Sequence, residues 1–150
     1  MATVNIAALQ ADVKKFLRTY AQSFGQEAAR IGPEVAKTAI SSFYGAYSPK
    51  YYDRTENLLN NSYQRYYKDN GTTIYGGVRI SSANMNSYGD KCWSASQVAN
   101  ATWRSGLHGK VATTPPYSIA RTVLQAEEGR IDKMAEKVAR SQSYSVMTIQ

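Results

Sequence analysis

The chain has 150 residues, with 18 Lys and Arg against 11 Asp and Glu, a formal net charge of +7, 12 tyrosines, one histidine and one cysteine. This length fits a single domain, and the lone Cys92 excludes an internal disulfide and a thiolate-rich metal site. No apolar run approaches the roughly 20 residues that a membrane-spanning helix needs. Residues 1–5 lack the features of a signal peptide, so we expect synthesis in a reducing cytoplasm.

Apolar residues at spacings of three and four predict a first helix from about Asn5 to Arg30. We expect a break at Gly32-Pro33, because glycine can end one helix and proline can open the next. A second helix then runs to about Tyr47 and stops at Ser48-Pro49, since the residue before a proline is pushed out of the helical conformation. We interpret residues 1–32 as an N-terminal helix and a candidate oligomerisation arm.

The middle third of the chain predicts a β-hairpin. Two segments rich in aromatic and β-branched residues, Leu58 to Lys68 and Thr72 to Ser81, flank the turn signal Asp69-Asn70-Gly71. Within the second segment, Gly76-Gly77 interrupts the alternation and indicates either a bulge or the close approach of another backbone. The polar residues 84–91 are typical of a loop.

The last third predicts two more helices. The first runs from Ser94 to Arg104, with Ser94 and Gln97 in capping positions. After a loop, the second runs from about Tyr117 to Ser141, with Gly129 as a weak point, and residues 142–150 form a tail. The prediction is therefore a single α+β domain, 1–150, with helices at both ends around a central β-hairpin or small antiparallel sheet.

The apolar faces of the first and last helices are interpreted as core. A strip that one domain cannot cover would instead become a seam between subunits.

Residue types that support catalysis are scarce. The acids of the middle region show no spacing of a magnesium site, and the segment after Gly76 lacks the Lys-Ser/Thr ending of a P-loop. His108 has no carboxylate nearby in sequence to orient its ring, so we interpret it as a loop histidine or a subunit contact rather than a general base. We expect no enzyme, and no catalytic, cofactor-binding or metal site.

Eight of the tyrosines fall between Tyr44 and Tyr75, where they alternate with basic residues. Such a surface can stack bases and contact phosphates, but tyrosine and arginine are also enriched at protein interfaces. Because further basic residues lie in the first helix, a generally basic surface fits better than one reading groove. We favour protein contacts, and nucleic-acid binding or processing is the alternative.

Two blocks of the chain resemble a known group of proteins. The run Phe43 to Thr55 (FYGAYSPKYYDRT), followed by Leu58 to Tyr63, resembles small virion proteins of tailed phages of Gram-positive hosts, from the head-to-tail joining (neck and tail-completion) group. Asn100 to Gly109 (NATWRSGLHG) is similar to a second block of that group. The first helix is longer than in the shortest members, so a capsid-associated or tail-tube position is also open.

The resemblance implies a structural virion protein, made in the cytoplasm of the host bacterium, that forms a homo-oligomeric ring between portal and tail. The implied partners are other virion proteins such as the portal, an adaptor or the tail tube, with non-specific contact to packaged DNA and none to a membrane. The expected contact residues are Tyr47, Tyr51, Tyr52, Arg54, Tyr63, Tyr66, Trp103 and His108.

Overall fold

A computed structural model describes residues 5–48, 57–85, 94–108 and 111–143. Its elements in chain order are α1 (Ile6–Gly45), α2 (Asn57–Asn61), β1 (Tyr63–Asp69), β2 (Ile74–Ile80), α3 (Ala95–Ser105), β3 (Leu107–His108), β4 (Val111–Ala112) and α4 (Pro116–Ser143). β1 and β2 form an antiparallel hairpin, and β3 pairs with β4. The α+β class, with helices at both ends around a small antiparallel sheet, is confirmed.

The predicted helix break at Gly32-Pro33 is wrong, because α1 is one helix of 40 residues with Pro33 inside it. A proline in a helix interior costs about 3 kcal/mol, since it removes a backbone N–H donor and crowds the preceding turn. Packing opposes this cost here. Ile31 and Val35 are buried on either side of Pro33, so the helix stays continuous where it is held by its neighbours.

Glycines allow α1 to lie directly on the hairpin. A Cβ atom on Gly76 would lie 1.9 Å from the carbonyl oxygen of Gly25, and one on Gly32 would lie 2.7 Å from the carbonyl carbon of Gly77. The strands pair residue for residue from Tyr63↔Ile80 to Asp69↔Ile74, without a bulge. Of the two predicted roles for Gly76-Gly77, the close approach of another backbone is therefore the correct one.

The first strand begins later than predicted, because residues 57–61 form the short helix α2. Ser62 follows α2 directly, and its hydroxyl donates to the carbonyl oxygen of Leu58 in that helix at 2.5 Å. The indole N–H of Trp103 donates to the same Ser62 hydroxyl at 3.1 Å. One buried serine thus joins α2, the start of β1 and α3.

The core lies where the second half of α1 meets α2, α3 and the start of α4. Its largest buried side chains are Phe43, Ile40, Leu58, Trp103 and Met85. The predicted capping of α3 is confirmed: Ser94 and Gln97 form a reciprocal capping box. The loop predicted after α3 contains the two-residue pairing of β3 with β4.

α4 runs antiparallel to α1. The Tyr20 hydroxyl donates to the carboxylate of Asp132, and Arg130 pairs with Glu27 at 3.3 Å. Tyr20 thus contacts a later residue of α4 than Glu27 does, as expected for two helices that run in opposite directions. Gly129 does not interrupt α4, which continues to Ser143.

Candidate interaction surfaces

The structure divides the predicted contact residues between core and surface. Trp103 is 3% exposed and belongs to the core, so the structure places its side chain inside the subunit. Tyr47 is half-buried just after α1, and Tyr63 and Tyr66 are half-buried on β1.

Tyr63 is held in its neutral form by its surroundings. Burial raises the pKa of its hydroxyl, and the negative charge of Glu34 adds to this effect. The other predicted contact residues give less structural information. Tyr51, Tyr52 and Arg54 lie outside the described residues, as does the side chain of His108, whose backbone forms part of β3.

Over the described ranges the structure contains no group of three or more His, Cys, Asp or Glu residues that could hold a metal ion. Within the same ranges, no helix is long and apolar enough to cross a bilayer. The titratable groups form links between elements instead. Glu27, for example, is held by Arg30 and Arg130, and the hydrogen bond from Arg30 is the main reason that its pKa is lowered.

The first turns of α1 carry an exposed apolar face, here called the N-terminal stripe. Its four side chains are 67%, 46%, 50% and 56% exposed in chain order, and they are Ile6, Leu9, Val13 and Leu17. Their spacings of three and four place them on one side of the helix. The apolar periodicity of the sequence identified Ile6, Leu9 and Val13 as one helical face but missed Leu17. It could not show that this face is exposed to solvent in the folded subunit.

A second apolar surface is a groove between β2 and α4, with α1 as its floor, here called the β2–α4 groove. One part has a volume of about 500 Å³ and is lined by Val78, Ile80, Tyr117 and Leu124 among others. The adjoining part, about 810 Å³, extends towards Tyr20, Ile74 and Asp132. The two parts are continuous, because they share four lining residues: Phe24, Gly76, Gln125 and Glu128.

The far end of the groove is closed by a polar link. Asp132 accepts a hydrogen bond from Tyr20, and this bond, with burial, raises the pKa of Tyr20 to about 12. The groove is otherwise apolar at its floor, where Phe24 and Ala28 lie. Arg121, Gln125 and Glu128 also line the groove, so it presents both apolar and polar side chains.

The N-terminal stripe and the β2–α4 groove are thus two apolar surfaces of the described residues that are open to solvent. Comparisons with protein-family models, with curated proteins and with solved structures found no match. The geometry and the sequence therefore carry the functional argument.

Proposed function

We propose that this chain is a structural subunit that assembles with copies of itself into a ring at the head-tail junction of a tailed phage virion. The observation that carries the proposal is the N-terminal stripe. A contiguous exposed face of large aliphatic side chains is typical of a surface that a partner covers. A second copy of the chain supplies such a partner.

The energetic argument rests on burial of the stripe. Complete burial of a Val, Leu or Ile side chain stabilises by about 1.5–3 kcal/mol relative to full exposure. The stripe side chains are about half exposed, so covering the four of one subunit with a different face of its neighbour, as a ring requires, contributes several kcal/mol per contact. This opposes the loss of translational and rotational freedom on association.

The surroundings of the stripe fit an assembly surface. Lys14 is exposed at the flank of the stripe and Lys15 on the opposite side of the helix, and Arg65, Lys68 and Arg79 are exposed on the hairpin. Charged residues at the margin of an apolar contact form the polar rim of a protein interface. In a ring, the same positive charge also favours non-specific contact with the phosphates of DNA that passes through it.

The position within a virion is supported by the resemblance of residues 43–55 and 100–109 to neck and tail-completion proteins. In the structure, the second of these blocks contains the second half of α3 and the buried Trp103. Trp103 therefore serves the fold of the subunit, and the contact itself is proposed for α1.

The experiment is to replace the stripe without disturbing the helix. We expect the wild-type chain to be oligomeric by size-exclusion chromatography with light scattering, and the double variant Leu9→Gln, Val13→Gln to be a monomer. Glutamine is a good helix former, so circular dichroism should keep its helical signal. The matched control is Lys14→Gln, Lys15→Gln, which changes exposed positions of the same helix outside the stripe and should leave the oligomer intact.

A monomeric wild-type chain, or a stripe variant with the wild-type mass, would contradict assembly through α1. The virion location has its own measurement. Mass spectrometry of purified phage particles should detect the chain at a fixed number of copies per particle. Its absence from particles would contradict the junction role and leave the assembly result unaffected.

A further inference from the structure

The hairpin has one face against α1 and a second face directed away from it. The Asp69 carboxylate, at the end of β1, accepts hydrogen bonds from Arg18 of α1, so Asp69 lies on the inner face. Successive side chains of a strand point to opposite faces. The side chains of β1 that are directed away from α1 are therefore those of Gln64, Tyr66 and Lys68.

The strand register identifies the corresponding residues of β2, because residues directly opposite each other in a ladder share a face. Ile74 is opposite Asp69, and its side chain lies against Gly25 of α1, as expected for the inner face. The residues opposite Gln64, Tyr66 and Lys68 are Arg79, Gly77 and Tyr75. These six residues are here called the outer hairpin face.

The outer hairpin face combines cations with neutral hydrogen-bond donors. Lys68 and Arg79 supply the positive charge, and the side chains of Gln64, Tyr66 and Tyr75 each carry an N–H or O–H donor. Tyr66 is half-buried and the other four are exposed. The face carries no carboxylate, because the acid of the two strands is turned inward to α1. This chemistry suits the oxygens of phosphate groups.

We propose that the outer hairpin face binds the phosphate backbone of double-stranded DNA. This proposal rests on the proposed function, in which a duplex passes through the ring, and it places the hairpin at the lumen. Lys, Arg, Gln and Tyr side chains are among the groups that contact phosphates and sugars, and such contacts position a protein on a duplex without reading its sequence.

The spacing of the two cations fits a duplex. Lys68 is opposite Tyr75, and Tyr75 precedes Arg79 by four residues of β2, so the two cations are about 13 Å apart along the strands. Four steps along one DNA strand rise by about 14 Å. Gly77 lies between the two cations and has no side chain, which lets another backbone approach the middle of the face.

Salt-dependent DNA binding tests the proposal in the full-length chain. The probe is a short fluorescently labelled duplex of mixed sequence, and fluorescence anisotropy measures its affinity over a range of salt concentrations. Each phosphate contact contributes about 0.9 to the slope of log affinity against log salt, so Lys68→Gln, Arg79→Gln should reduce this slope by about 1.8 for each bound subunit. We expect its affinity to fall by about tenfold or more at low salt.

The matched control is Lys133→Gln, Lys137→Gln, which removes the same charge from exposed positions of α4 and should keep the wild-type slope and affinity. The variant Lys68→Arg, Arg79→Lys keeps both charges on the hairpin and should also bind like the wild type. Equal losses in the hairpin and α4 variants, or a hairpin variant with wild-type binding, would overturn the proposal. Tighter binding of a single strand of the same length would overturn it in favour of base stacking.

Light scattering on the same samples separates this contact from assembly. We expect the hairpin variant to keep the wild-type mass while it loses DNA binding. An oligomeric wild-type chain without affinity for the duplex would overturn the DNA contact alone. A monomeric wild-type chain that binds the duplex through Lys68 and Arg79 would support the contact and contradict the proposed ring.

Discussion

At the residue scale, glycine determines how closely α1 approaches the hairpin. Gly25 faces Gly76, and Gly32 faces Gly77. A Cβ atom on Gly25, Gly32 or Gly76 would overlap atoms across this contact, whereas nothing lies within 4 Å of one on Gly77. Gly77 also adopts a φ of 145°, which side chains disfavour. The sequence predicted the close approach as one of two roles for Gly76-Gly77. It could not identify Gly25 or Gly32 as the opposing residues, because they lie some 50 positions away along the chain.

Gly76→Ala should lower the free energy of unfolding by about 1–3 kcal/mol or more, because the new methyl group overlaps the backbone of α1. Gly129→Ala is the matched control. Nothing lies within 4 Å of a Cβ atom at Gly129, so alanine there should raise the free energy of unfolding by about 0.5–1 kcal/mol through helix propensity. Urea denaturation measures both. Equal effects of the two substitutions would contradict the glycine contact.

At the element scale, a polar cluster ties the middle of α1 to the hairpin turn. Arg18 donates to the Asp69 carboxylate at 2.5 Å and to the Gly71 carbonyl at 2.8 Å, and Gln22 donates to Asp69 at 3.0 Å. The hydrogen bond from Gln22, that from the Gly71 N–H and that from Arg18 together lower the pKa of Asp69 to about 2. The sequence pattern predicted Asp69 only as part of the turn and gave no sign of its contacts with α1.

This cluster predicts a pH dependence. A carboxyl group whose pKa is lower in the folded state contributes stability above its ordinary pKa of 3.8, and this contribution is lost as the pH falls towards 2. We expect the wild-type free energy of unfolding to fall between about pH 4 and pH 2 more steeply than that of Asp69→Asn. Arg18→Gln should be intermediate, because Gln22 and Gly71 still bind the carboxylate. Parallel slopes for wild type and Asp69→Asn in urea denaturation would contradict the prediction.

The ends of the helices show where a local sequence pattern is sufficient to predict a boundary and where it is not. The capping box at Ser94 and Gln97 is a local pattern, and the sequence located α3 from it correctly. The Gly32-Pro33 pair is an equally local signal for a break, yet α1 continues through it. Tertiary contacts on both sides of Pro33 decide this case, and they depend on residues of α4 and the hairpin that a local pattern does not include.

At the scale of the whole molecule, α1 is the element on which the others pack. It contacts the hairpin through glycines, α4 through Glu27 and Tyr20, and the core through Ile40 and Phe43. The hairpin, being two-stranded, has little stability of its own in water. Its stability therefore depends on α1.

We expect the subunit to unfold in a single cooperative transition. In a Trp93→Phe variant, the fluorescence of Trp103 reports on the buried core, while circular dichroism at 222 nm reports mainly on α1 and α4. Their midpoints in urea should coincide at a fixed protein concentration, which is a test of two-state behaviour. A fluorescence midpoint at a lower urea concentration than the circular dichroism midpoint would show that the core and the long helices are separate cooperative units.

The sequence by itself determined the class of the fold, because periodicity, turn residues and caps are local and identified the helices, the hairpin at Asp69-Asn70-Gly71 and the capping of α3. It also placed tyrosines and basic residues on the hairpin. Only the tertiary structure decided which apolar residues are covered. Burial depends on contacts between distant segments. These contacts put Trp103 in the core, left the N-terminal stripe exposed and placed β2 beside an open groove.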